Sequence, residues 1–160
     1  MMVFLLNEFQ KNNQMKNIFL LSFLICISGT AFCQSAAFTA DSDKAFGLIK
    51  NGAFKNGYGY VIKYGPTKKA AISVKPNTSY LVFYVYDNTN HPAPHFKASL
   101  MTPDSALQKI YTVRPFDRAQ VGVARAAQLE FRTPAFTGAA TRPVKFVASP
   151  DALIYVFDKK

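Results

Sequence analysis

The sequence predicts an all-β fold: a single jelly-roll-like β-sandwich of about eight short strands, preceded by a cleaved signal peptide. Three observations carry this expectation. Runs of β-branched and aromatic residues recur from residue 58 to residue 157, several with apolar and polar residues in alternation. Gly, Pro, Asn and Asp separate them at regular intervals, the spacing of a sandwich. Residues 34–160 are 127 in number, enough for one domain with its own core, and they contain no cysteine. That core is rich in aromatics, since the chain carries 15 Phe and 8 Tyr.

The N-terminus reads as a targeting segment. Lys16 supplies a basic region, residues 18–27 an apolar run, and Ser28, Gly29, Thr30 and Ala31 the small residues before Cys33. The apolar run falls short of the ~20 residues that span a bilayer. Residues 15–33 are therefore expected to be a signal peptide starting at Met15, residues 1–14 an upstream extension, and residues 34–160 the domain. Cleavage fits after Cys33 or after Ala37. Export to the periplasm or beyond follows, with no transmembrane segment in the mature chain. Lipid anchoring through Cys33 is the alternative, opposed by the bulk of Phe32.

Along the domain, residues 36–56 leave two readings open. Asp41-Ser42-Asp43 suits the cap of a short helix over 44–50, while residues 45–49 also suit an early strand. Residues 58–64 read as a strand ended by Gly65-Pro66, and residues 70–75 as another ended by Pro76-Asn77. Residues 79–87 form the strongest strand in the chain. Leu81, Phe83 and Val85 share one face and Tyr80, Val82, Tyr84 and Tyr86 the other. His91-Pro92-Ala93-Pro94-His95 is a stiff loop, residues 96–101 alternate as a half-buried strand, and Thr102-Pro103 opens a helix of a turn or two. Residues 109–114 form the next strand. Residues 120–132 fit both periods, and Gly122 between two valines favours strand over helix. Residues 144–148 and 152–157 close the chain as a pair around Ser149-Pro150-Asp151.

Lys75-Pro76-Asn77-Thr78-Ser79 leading into residues 80–87, and Phe131 to Gly138 followed by residues 144–148, resemble the turn-and-strand segments of bacterial pre-peptidase C-terminal modules and related jelly-roll sandwiches of exported proteins. The resemblance covers about the last two thirds of the domain. It implies a non-catalytic module and transfers no functional residue. The chain departs from that pattern at residues 139–143, where the family runs straight into a Tyr-containing strand.

Residues 34–160 hold 17 of the 19 Lys and Arg and eight of the nine Asp and Glu, a net charge of +9. The cations are spread along the chain rather than clustered, which argues against a nucleic-acid partner. His91 and His95 are the only histidines. Pro92 and Pro94 forbid the helix that would bring them together, and an extended run holds them about 12 Å apart. No metal is expected, with a His91–His95 site in a small metal-dependent enzyme as the remote alternative. The chain has no Gly-x-Ser-x-Gly elbow, phosphate loop or dinucleotide fingerprint, so neither a cofactor nor catalysis is expected. Tyrosines stand out instead. Tyr58 and Tyr60, with Tyr80, Tyr84 and Tyr86, are candidate ligand-binding residues if their strands share a wet face on which sugar rings stack. The same tyrosines equally suit ordinary cross-strand packing. The function expected is that of an exported, non-catalytic binding or assembly module for a glycan or envelope component, the alternative being a structural protein that meets a protein partner.

Overall fold

The computed structural model describes residues 35–89, 94–101 and 107–160. Its first element is a helix. The Ser35 hydroxyl accepts a hydrogen bond from Phe38 N at 3.1 Å, which caps α1 (Ala36–Lys55). Phe38, Ser42, Ala45, Ile49 and Ala53 are its buried residues, three or four apart, as one helix face requires. Gly57, at a φ of 79°, ends it. Gly57 N donates to Phe54 O and Tyr58 N to Ala53 O, both at 3.0 Å, a Schellman closure. The short helix expected over 44–50 is thus much longer, and Asp41-Ser42-Asp43 lies inside it rather than at its cap.

The strands are β1 (Gly59–Val74), β2 (Ser79–Asp87), β3 (His95–Met101), β4 (Leu107–Tyr111), β5 (Arg114–Pro115), β6 (Ala124–Arg132) and β7 (Arg142–Lys159). The described residues are mostly strand, as the all-β expectation has it, with one α-helix among them. All seven strands, however, belong to one antiparallel sheet in the order β4-β3-β7-β2-β6-β5, with β1 paired to β7. Residues 120–132 are strand from Ala124 onward.

Two expected strand pairs turn out to be single strands. Residues 58–64 and 70–75 merge into β1, and residues 144–148 and 152–157 into β7. The expected breaks at Gly65-Pro66 and Ser149-Pro150-Asp151 face each other across the β1–β7 ladder. They are absorbed as register shifts between Tyr64 and Thr67 and between Thr67 and Lys69. An edge strand such as β1 tolerates Pro66 because its open side has no ladder to break.

Along one side of β7 lies β1. Along the other lie β3, opposite residues 144–149, and β2, opposite residues 153–159. The irregularity between these two halves lets the sheet curl, because bulges bend and twist a strand. Val144, Phe146, Ala98 and Leu100 from one half join Val82, Tyr84, Ile154 and Leu129 from the other in one buried cluster. The convex face of the second half is covered by α1. There Phe38, Ala45, Ile49 and Ala53 pack with Phe83, Val85, Tyr155 and Phe157.

Candidate functional site

The helix does not cover the whole of that convex face. Glu130 pairs with Leu81, and Gln128 with Phe83, so these four side chains share the face on which α1 lies. Past Ala53 the helix turns away at Gly57, and Leu81 stays half-buried. The result is a groove of about 730 Å³ between α1, β2, β6 and the short 3-10 turn Asp117–Ala119. Its size falls within the usual range of ligand clefts, about 300–1,000 Å³.

Leu81, Phe83 and Phe116 supply the apolar floor, and Leu48 and Gly52 one wall. Phe83 and Phe116 meet edge to face at 5.1 Å. The rim is polar and mixed in charge, made by Asn56, Gln128, Glu130, Lys159, Asp117 and Arg118. Rim groups are held in place. Tyr58 donates its hydroxyl to Glu130 Oε1, Lys159 Nζ donates to Asn56 O at 2.9 Å, and Gln120 Nε2 donates to Asp117 Oδ1 at 2.6 Å. Burial, then the hydrogen bond to Glu130 and its negative charge, push the Tyr58 phenol up to about 12, so it stays a donor throughout the physiological range.

Only Tyr58 of the five candidate tyrosines lines this groove. Tyr84 is 0 % exposed. Its hydroxyl donates to Lys97 O at 2.9 Å, and its ring stacks on Phe96 at 4.7 Å. Tyr80 is buried too, with its hydroxyl accepting from Lys75 N at 2.8 Å. Of the two readings of the tyrosine face, packing therefore holds for these two and a wet, ligand-binding surface does not. The curl turns that side of β2 inward, and main-chain groups satisfy the hydroxyls. Tyr86 is half-buried and lines a separate cavity of about 420 Å³ with His95 and Phe96. Tyr60 is 43 % exposed on the convex face, edge-on to Phe157. The five do not gather on one surface.

His95 is exposed at the start of β3, and His91 lies outside the described residues. Among the described residues no three His, Cys, Asp or Glu side chains are grouped to hold a metal. No helix among them is long and apolar enough to cross a membrane.

Sequence reasoning did not find Gln128, Glu130, Asp117, Arg118 or Phe116 as neighbours. One signal was present: Glu130 is the only glutamate in residues 34–160, and it stands between two apolar residues, Leu129 and Phe131. No family model, curated protein or solved structure matches the chain.

Proposed function

We propose that this chain is an exported, non-catalytic binding module whose recognition surface is the groove between α1 and strands β2 and β6, and that its ligand is a glycan segment. The observation that carries this reading is the pairing of an apolar floor (Leu81, Phe83, Phe116) with a rim of amide, carboxylate and guanidinium groups (Gln128, Glu130, Asp117, Arg118). A sugar ring has the matching character: a C–H face that packs on apolar side chains, and hydroxyls that both donate and accept at its edge. Both rim carboxylates already accept a protein hydrogen bond, which favours fixed recognition groups over free acids and bases. The signal-peptide pattern of residues 15–33 and the resemblance to non-catalytic modules of exported proteins support the same reading. N-terminal sequencing of exported protein should begin after Cys33 or Ala37; a chain still starting at Met15 would remove the export part.

The groove itself is tested by filling it. A Cβ at Gly52 would meet nothing within 4 Å, so Gly52→Phe should project into the groove and leave the fold intact, helix interiors favouring other residues over glycine. Wild-type protein is expected to retain members of an immobilised oligosaccharide panel, Gly52→Phe to lose them with an unchanged or raised melting temperature, and Gln128→Ala to weaken them. Retention that survives Gly52→Phe, or a wild type that retains no glycan, overturns the reading. The protein-interaction alternative has its own observation, the exposed Tyr60, Val61 and Ile62 on edge strand β1; pull-down of a protein partner that survives Gly52→Phe and fails in Val61→Asp would favour it.

A further inference from the structure

Helix α1 covers one half of the convex sheet face. The other half, formed by the end of β1, the start of β7, and β3, carries a cationic pattern set by strand register. Val147 of β7 pairs with Lys69 of β1 on one side and Lys97 of β3 on the other. Lys145, two residues before Val147, projects from the same face, paired with Ala71 and Ser99. All three lysines are exposed.

Adjacent strands lie about 4.8 Å apart, and two residues along a strand span about 7 Å. The three ammonium stems thus rise from a patch about 10 Å across, within about one Debye length at physiological salt. Among the described residues no Asp or Glu occupies a registered position of this face, so no carboxylate at those positions offsets the repulsion among the lysines. The intervening positions are small: Ala71, Ser73 and Ser99. They put little side-chain bulk between the lysine stems. At the centre of the patch Val147 is 42 % exposed, and Ile110 of β4, paired with Ser99, is 50 % exposed on the same side. An exposed valine flanked by lysines, with an exposed isoleucine at the edge of the patch, suits a partner whose charge is a thin layer over an apolar one.

We propose that this face docks on the surface of an anionic phospholipid bilayer, with Lys69, Lys97 and Lys145 meeting lipid phosphates and Val147 and Ile110 entering the headgroup boundary. The three lysines stand on three neighbouring strands, so a planar array of phosphates can engage all of them at once, whereas a single strand of polyanion follows one line. Electrostatic attraction of basic residues to anionic lipid and shallow burial of apolar side chains are the two terms of such docking. The binding is peripheral and salt-reversible. It would hold the groove of the proposed glycan module beside the membrane, yet does not depend on that groove.

The test is co-sedimentation of the domain, residues 34–160, with vesicles of phosphatidylcholine alone or mixed with phosphatidylglycerol. Binding is expected only to the mixed vesicles and should fall steeply as salt is raised. Each of Lys69→Gln, Lys97→Gln and Lys145→Gln should weaken partitioning about fivefold and the triple variant about a hundredfold. Val147→Ser should weaken it further at high salt, where the apolar term remains. A matched control, Lys44→Gln with Lys50→Gln and Lys55→Gln on α1, removes the same charge elsewhere and should bind like wild type. Gly52→Phe should also bind vesicles normally, so loss of glycan binding and loss of docking are distinguishable. The proposal is overturned if the triple variant and the helix control bind equally, if wild type does not distinguish the two vesicle types, or if the three lysines bind heparin in solution while vesicles are ignored.

Discussion

Gly122 shows how closely single residues are matched across this fold. Its φ is +50°, a region that costs a residue with a Cβ about 1–2 kcal/mol. A Cβ there would also sit 1.9 Å from Asp41 Oδ2. That same oxygen accepts a hydrogen bond from Val123 N at 3.0 Å, so Asp41 ties α1 to the turn ahead of β6. Gly122→Ala should therefore both strain the turn and displace the carboxylate. Its expected cost is roughly 2.5–5 kcal/mol, the sum of the left-handed penalty and a charge-assisted hydrogen bond. In an Asp41→Ala background the clash is gone, and Gly122→Ala should cost only the backbone part. Denaturant melts of the two single variants and the double variant check this. Strict additivity would show that the close approach does not matter. Asp41 stands out in the sequence only as a helix cap; its reach to residue 123 depends on a partner 82 positions away.

At the scale of elements, β2 is the strand with most to lose. One face packs beneath α1 through Phe83 and Val85, the other into the curled interior through Val82 and Tyr84. Both aromatic residues are core. Phe83→Ala and Tyr84→Ala should each cost roughly 3–5 kcal/mol, as for other large core truncations. Tyr84→Phe should cost roughly 1–3 kcal/mol, because it leaves the Lys97 carbonyl without its donor. Chemical denaturation of the three variants decides the point. A Tyr84→Ala protein nearly as stable as wild type would mean that this face is wet rather than packed. The strand itself was plain in the sequence, residues 79–87 with both ends placed. Its inward face was not, because a tyrosine run looks the same whether its hydroxyls meet water or main-chain carbonyls. The helix was underestimated for a related reason: its buried stripe contains alanines and a serine, which carry little hydrophobic signal, and its cap at Ser35 is a single residue.

Across the whole molecule the tyrosines make stability depend on alkaline pH. Burial raises the phenol of Tyr84, of Tyr155 and of Tyr111 above the ordinary 10.0, and Tyr58 reaches about 12. Such a group keeps its proton in the folded state after the unfolded chain has lost it. Its stabilising share is complete below pH 10 and is lost as the pH rises through the folded value. The melting temperature should therefore hold level up to about pH 9 and fall above about pH 10. Thermal melts followed alongside tyrosinate absorbance test this. Ionisation of all the tyrosines near their ordinary value in a still-folded protein would contradict it.

What the sequence determined by itself is local. Alternation and β-branching specified the strands, Pro and Gly marked where the chain changes direction, and Asn56-Gly57 and residue 87 marked turns. These signals act over a few residues, so a short window reads them. Tertiary structure alone decided whether a marked change of direction ends a strand or bends it. Gly65-Pro66 and Ser149-Pro150-Asp151 look like terminators singly, but placed opposite each other in the β1–β7 ladder they become the curl of one continuous sheet. The curl then decided which face of β2 is inside, what α1 covers, and what it leaves open. The groove at Gln128 and Glu130 and the lysines around Val147 exist only through strand register, which brings together residues separated by tens of positions, and no local pattern in the chain encodes that pairing.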